Sequence, residues 1–245
     1  MEIDYTSIEK IIQDLERNSI ESCANLYHPI PFEEFKHLTT STNRKNAYRK
    51  WSLIEKVINS IFILPQQKLK VLDIGANAGF YSFMLAKAGA DVTAFEPHIR
   101  YSKIAKFLCR EKRISIDWRP QLFDFSLVKD KYFDLTLMLS VFQWIAKGGE
   151  NAEEAKNTIR DISRISSYLI FELGFNRGKS CIRTKEFNHY GLLLDILRKN
   201  TRFNKFLLLG KTSPSLFSSR FMVLASCDKR YDDKGLLGYV RNLRF

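Results

Sequence analysis

Residues 71–98 read VLDIGANAGFYSFMLAKAGADVTAFEPH. An apolar run from Val71 to Ile74 passes through a small-residue turn into an amphipathic stretch, and a second apolar run ends on Glu96. The periodicity predicts strand, turn, helix and strand in that order. Gly75 and Gly79 permit a tight turn and close backbone approach, and the helix opening near Ala78 offers free N–H groups to an anion. Glu96 stands at the end of the second strand, where nucleoside-binding sheets hold ribose hydroxyls. A Gly-rich turn alone is often a plain connection between strand and helix. The acid about twenty residues later is what points to a nucleoside-bearing ligand. Dinucleotide sites carry glycine where this turn has Asn77, whose side chain would crowd a pyrophosphate but can hydrogen-bond a carboxylate. An amino-acid end therefore suits the turn better than a dinucleotide.

Outward from this unit, strand-like and helical runs alternate. Strands are expected at 69–74, 91–95, 114–118, 133–139 and 167–173, and helices at 78–89, 98–111, 152–165 and 189–200. Such alternation implies an α/β fold with a doubly wound, mostly parallel sheet of seven strands. Two of the seven differ. FNKFLLLG and SRFMVLASC are joined by KTSPSLFS, too short for a crossover helix, so they should pair as an antiparallel hairpin. Upstream, Thr6 precedes Glu9 by three residues in a capping-box pattern that opens a first helix. Asn43 is expected to cap a second, with Ala47, Trp51, Ile54, Ile58 and Ile61 on one face, stopped by Pro65. The organisation read from this is a helical extension over 1–65, a ligand-binding domain over 66–227 and a tail over 228–245.

The chain has 245 residues, 45% of them hydrophobic, which suits one large α/β domain with a small appendage. The opening MEIDYTSIEK lacks an apolar core segment, and no stretch approaches the roughly 18 apolar residues of a membrane span. A soluble, cytoplasmic protein is expected. The four cysteines are scattered singly, without the paired spacing of zinc sites, so no metal is expected. The net charge of +12 favours anionic partners: nucleic acid, acidic or phosphorylated glycans, or an anionic membrane face contacted peripherally. A solvated basic surface is the plainer account of most of these cations. The oligomeric state is left open.

The stretch VLDIGANAGFYSFMLAKAGADVTAFEP resembles motif I and the following acidic motif of class I S-adenosylmethionine-dependent methyltransferases, a Rossmann-like fold whose last strand is antiparallel, as expected here. The family's pattern extends over roughly residues 45 to 227. The resemblance implies S-adenosylmethionine as cofactor, with Asp73, Gly75, Asn77 and Gly79 about its methionine portion and Glu96 on both ribose hydroxyls. Asp124 falls where the family's acid bonds the adenine amino group, with Phe125 beside it. Phe80, Pro97 and Ser140 are assigned to the same site. Plainer accounts are that Asp73 braces the turn and that Asp124 caps a helix.

Methyl transfer from a sulfonium needs an acceptor held in line, and a base only where the acceptor must lose a proton. The fourth strand ends Leu139-Ser140-Val141, with neither the acid of metal-dependent catechol enzymes nor the Asn/Asp-Pro-Pro-aromatic sequence of amino-group methylases. Oxygen acceptors remain. LSVFQWI, LIFELG and NTRFNKFLLLGKT resemble methyltransferases of bacterial surface-polysaccharide synthesis, including those that methylate the terminal sugar or phosphate of O-antigen chains. LSVFQWI is also similar to RNA methylphosphate-capping enzymes, with Gln143 in place of their lysine. The polysaccharide enzymes often carry histidines where this chain has Gln143 and Trp144. Gln143 can orient an oxygen but cannot take its proton, which favours a phosphate or other anionic acceptor. The catalytic candidates are Gln143, Trp144 and, as base for an ordinary hydroxyl, Glu172. A tryptophan just past a buried strand is otherwise a core residue. Arg44, Tyr48, Arg49, Arg177 and Lys179 are the candidates for gripping the anion. The runner-up is an RNA methyltransferase using Tyr48 and Trp51 as stacking platforms. A non-catalytic binding module ranks third, and a nicotinamide oxidoreductase fourth.

Overall fold

The structure is a computed structural model that describes residues 10–11, 26–61, 68–176, 182–212 and 219–227. The expected first helix and its capping box lie outside the described residues, except that Lys10 and Ile11 are helical. Pro65, Arg177, Lys179, most of the hairpin connection and the 228–245 tail also lie outside them. Seven strands form one sheet in the order β3-β2-β1-β4-β5-β7-β6, and the chain divides into two compact units, Met1–Ser52 with Lys68–Asp124, and Leu53–Gln67 with Phe125–Phe245. This is the Rossmann-like, mostly parallel sheet with an antiparallel terminal pair that the sequence implies.

The first unit carries β1 (Lys70–Ile74), β2 (Asp91–Phe95) and β3 (Asp117–Arg119). All are parallel, with Ile74 beside Phe95 and Phe95 beside Arg119. β1 and β2 are buried at every position after the first, as strands of a covered parallel sheet should be, with Asp73 and Thr93 among the buried positions. β3 is shorter than its expected span because the preceding residues finish a helix. Arg113 turns left-handed at φ 52°, and the Ile114 N–H returns to the Cys109 carbonyl. Ile114 and Ile116 pack on a core that includes Leu26, Ile30, Phe83, Ile104 and Leu108. Each such fully buried aliphatic or aromatic side chain contributes about 1.5–3 kcal/mol. The 26–39 segment is closed locally, the Thr39 hydroxyl donating to the Leu26 carbonyl at 2.7 Å.

Helix α1 (Ser41–Ile61) begins two residues before the expected Asn43 cap. Thr40 is the cap, its Oγ1 accepting the Asn43 N–H at 3.2 Å. The run Thr39-Thr40-Ser41-Thr42-Asn43 offers five capping side chains, and hydrophobic spacing cannot choose among them. Ala47, Trp51, Ile54 and Val57 are buried along α1, while Ile58 is half-buried. Helices α2 (Phe80–Lys87) and α3 (Ile99–Lys112) follow β1 and β2.

The second unit carries β4 (Phe133–Leu139), β5 (Ser166–Phe175), β6 (Lys205–Lys211) and β7 (Ser219–Ser226). β4 and β5 are parallel, with Leu139 beside Glu172. β7 runs antiparallel to both β5 and β6, with Gly174 beside Arg220 and a register irregularity between Leu208 and Gly210. A four-residue helix, α4 (Phe142–Ile145), not expected from the sequence, follows β4. Helix α5 (Ala152–Ile165) buries Ala155, Ile159 and Ile162, and α6 (His189–Asn200) buries Leu193, Leu194 and Leu197, both at helical spacing.

Candidate functional site

In the first unit the turn after β1 is held in a conformation that few residues tolerate. Gly75, Asn77 and Gly79 all have positive φ, at 74°, 55° and 91°. The N–H groups of Gly75 and Ala76 both donate to the Phe95 carbonyl, at 2.9 and 3.0 Å, which ties the turn to the end of β2. A side chain at Gly79 would place its Cβ 2.8 Å from the buried Phe83 ring, in a backbone conformation costly for any other residue. Gly79→Ala is therefore expected to destabilise the protein by about 1–3 kcal/mol, read as a lower urea midpoint at unchanged slope. An unchanged midpoint would show that Phe83 and the turn yield freely.

Glu96 follows β2 and is buried. One carboxylate oxygen accepts the Asn77 N–H at 2.8 Å and the other the His98 N–H at 2.7 Å, so Glu96 clasps the turn after β1 to the chain after β2. Burial raises its pKa, and the two N–H bonds partly counter this. A carboxylate has about four lone-pair sites, so the two N–H bonds leave capacity for the hydroxyls of a ligand. The Asn77 side-chain oxygen is buried and has no hydrogen-bond partner. Such an orphaned acceptor is costly unless something supplies a donor. The open valence of this oxygen suits an ammonium or hydroxyl, and the NH2 of the same side chain is the group suited to a carboxylate. Asp73 is buried near the end of β1 and accepts the Ser82 hydroxyl of α2 at 2.6 Å. Burial pushes its pKa up to about 7, the Ser82 bond opposing and Glu96 reinforcing the rise.

The other first-unit candidates are placed as follows. Phe80 is fully buried, with Tyr48 of α1 edge-on to it at 5.1 Å. Tyr48 and Arg49 are exposed and Arg44 is half-buried, while Trp51 is core and unavailable as a stacking platform. Pro97 and Asp124 are exposed.

In the second unit a polar cluster gathers at the C-terminal ends of β4 and β5. Ser140 has φ 61°, and its N–H donates to the Glu172 carbonyl at 2.9 Å. Its hydroxyl donates to the Glu172 carboxylate and accepts Nη1 of Arg220 at 2.7 Å. The Thr212 hydroxyl donates to the other oxygen of Glu172, and Arg220 Nη1 lies 3.9 Å from the carboxylate. Glu172 is completely buried. Gln143 is also buried, its Oε1 accepting the Gly174 N–H at 3.4 Å. Trp144 is 63% exposed rather than core, because α4 turns Phe142 and Gln143 inward. Phe125, half-buried, opens a short 3₁₀ turn. Sequence reasoning missed Thr212 and Arg220. The available signal was an arginine opening the otherwise apolar strand RFMVLAS.

Residues 72–171 match the sequence model described as a methyltransferase domain. This segment is a methyltransferase domain. The domain's family uses S-adenosylmethionine, which carries the ammonium and ribose hydroxyls that Asn77 Oδ1 and Glu96 could accept from. Similar curated proteins include the ubiquinone biosynthesis O-methyltransferases of Methylobacterium sp. (strain 4-46), 32% identical over 82 residues, and of Agrobacterium fabrum, 32% identical over 82 residues. Each match covers 34% of this chain and 33% of the relative, so the chain spans about a third of the length of these relatives. Among solved structures, the bifunctional kinase-methyltransferase WbdD superposes with a TM-score of 0.63 at 18% identity, over 90% of this chain and 46% of that one. The N-terminal domain of EvdMO1 with SAH bound gives 0.60 at 13% identity, over 91% of this chain and 98% of that one. At these identities the likeness to the methyltransferase structures is one of fold.

Proposed function

We propose that this chain is an S-adenosylmethionine-dependent methyltransferase whose acceptor is an anionic oxygen, namely a terminal phosphate or acidic sugar of a bacterial surface polysaccharide or its precursor. When bound, S-adenosylmethionine supplies a methyl group activated by its sulfonium. Glu96 and Asn77 hold the donor, and Asp124 serves its adenine. Arg44, Tyr48, Arg49, Arg177 and Lys179 are proposed contacts for the acceptor.

The state of Glu172 carries the reading of the acceptor. A sugar hydroxyl needs a base near it, and a base must reach the proton it takes. Glu172 is buried and committed to the hydroxyls of Ser140 and Thr212, and Gln143 has no basic site. An acceptor that arrives ionised asks only to be positioned, and a chain of net charge +12 attracts it. The relatives' names support an oxygen acceptor, and an EvdMO1 structure determined in the presence of SAH and D-fucose supports a sugar, while neither bears on the acceptor's charge. The burial of Trp51 weakens the RNA reading.

The test uses methyl-labelled S-adenosylmethionine with a hexose 1-phosphate, the free hexose and 5′-phosphorylated transcribed RNA. Label is expected on the hexose phosphate alone. Transfer to RNA without transfer to the sugar phosphate would replace the glycan reading by the RNA one.

A further inference from the structure

The geometry points to Arg220 as the residue that grips the anionic group of the acceptor, with Glu172 as the positioning residue that aims it. The inference rests on the proposed anionic acceptor and names a contact within it.

Arg220 stands beside Gly174 in the β5–β7 register, and its guanidinium lies across that glycine. A Cβ at position 174 would sit 2.9 Å from Arg220 Nε and 3.2 Å from Nη2, so the absence of a side chain there is what admits the arginine. One edge of the fork is occupied, Nη1 donating to Ser140 while facing Glu172. Nε and Nη2 have no hydrogen-bond partner among the described residues, and the side chain is 24% exposed. Guanidinium donors in a fixed plane match the spacing of phosphate and carboxylate oxygens.

The surrounding features fit this role together. In open α/β sheets ligands bind beyond the carboxyl ends of the strands, which is where Ser140, Gln143 and Gly174 lie. A left-handed serine at the end of β4 is strained, and such strain persists where surrounding bonds hold it. Here both the backbone and the hydroxyl of Ser140 are tied to Glu172. The buried carboxylate faces one edge of the guanidinium and holds it through the Ser140 hydroxyl. The other edge is left for an anion.

The full-length chain is titrated with inorganic phosphate and with a hexose 1-phosphate, with the free hexose as the neutral control. The arginine Nε–H resonances are followed by NMR, and SAH affinity is measured calorimetrically in parallel. Both anions are expected to shift the Arg220 resonance, and the free hexose to leave it unmoved. Arg220→Gln should weaken hexose 1-phosphate binding at least about tenfold. Arg220→Lys should recover part of the loss, and SAH affinity should be unchanged. Gly174→Ala keeps the charge but displaces the guanidinium, so it should reproduce the loss in a chain that still carries Arg220. If hexose 1-phosphate binds both variants as tightly as the parent, the role of Arg220 is overturned while the anionic acceptor stands. If the parent binds SAH but neither anion, both fall together.

Discussion

Glu96→Gln is expected to lower the affinity for S-adenosylmethionine roughly 10- to 100-fold, about 1.4–2.7 kcal/mol, in a calorimetric titration. The change is small in volume but wrong in hydrogen-bond sense. The carboxylate receives one backbone N–H on each oxygen, from Asn77 and from His98. A glutamine has one acceptor oxygen, and its NH2 must face the other N–H, which leaves two donors opposed in a buried place. The turn that carries Asn77 loses its clasp, and in the proposed donor site the ribose loses a charged acceptor. Both effects weaken donor binding. Thermal unfolding recorded alongside separates them from a general loss of fold. Unchanged affinity in a folded variant would remove Glu96 from the donor site and leave it a clasp only.

Stability should fall as pH rises from about 4 to about 7, and Asp73→Asn should abolish most of that slope. The ordinary carboxyl value is 3.8, and burial raises Asp73 to about 7 in the folded chain. Between these values the native state keeps a proton that the unfolded state has released, so each step up in pH favours unfolding. Below the lower value both states are protonated and the group contributes nothing. Above the upper value the penalty is complete, and it amounts to about 4 kcal/mol if Asp73 alone accounts for it. Asparagine can still accept the Ser82 hydroxyl and does not ionise. The variant should therefore match the parent near pH 4 and exceed it at pH 8. Urea midpoints at the two pH values decide the matter, and equal slopes in parent and variant would refute it.

Much of the first unit is legible in the sequence because its signals are local. The turn from Gly75 to Gly79 needs positive φ at fixed offsets, and β1 and β2 announce themselves as short, mostly apolar runs broken only by Asp73 and Thr93. Helix beginnings are less legible. Thr40 displaces Asn43 as cap, and Gly79 rather than Ala78 stands before α2, because neighbouring residues compete on nearly equal terms. The second-unit cluster is hidden for a different reason. Glu172 reads as a candidate base from its place on β5, but what occupies it comes from residues 140, 212 and 220. Those contacts exist only once β7 has inserted between β5 and β6, which no period of two or 3.6 records. Trp144 fails as a core residue because α4 is a single turn, too short to show a periodic face.

The irregular register at Leu208 and Gly210 bears on how the protein behaves in a crowd. β6 is the last strand in the order, and an outer edge with no strand beside it among the described residues is the kind of template on which another chain extends a sheet. It carries Phe206, Leu207 and Leu208 in a row, the composition that makes an open edge sticky. The bulge breaks the even spacing of that edge, and lysines 205 and 211 put a charge at each end of the strand. The opposite margin, β3, is only three residues long, and its Asp117–Arg119 ion pair adds charge there. Among the described residues both margins of the sheet thus carry features that disfavour edge-to-edge strand addition.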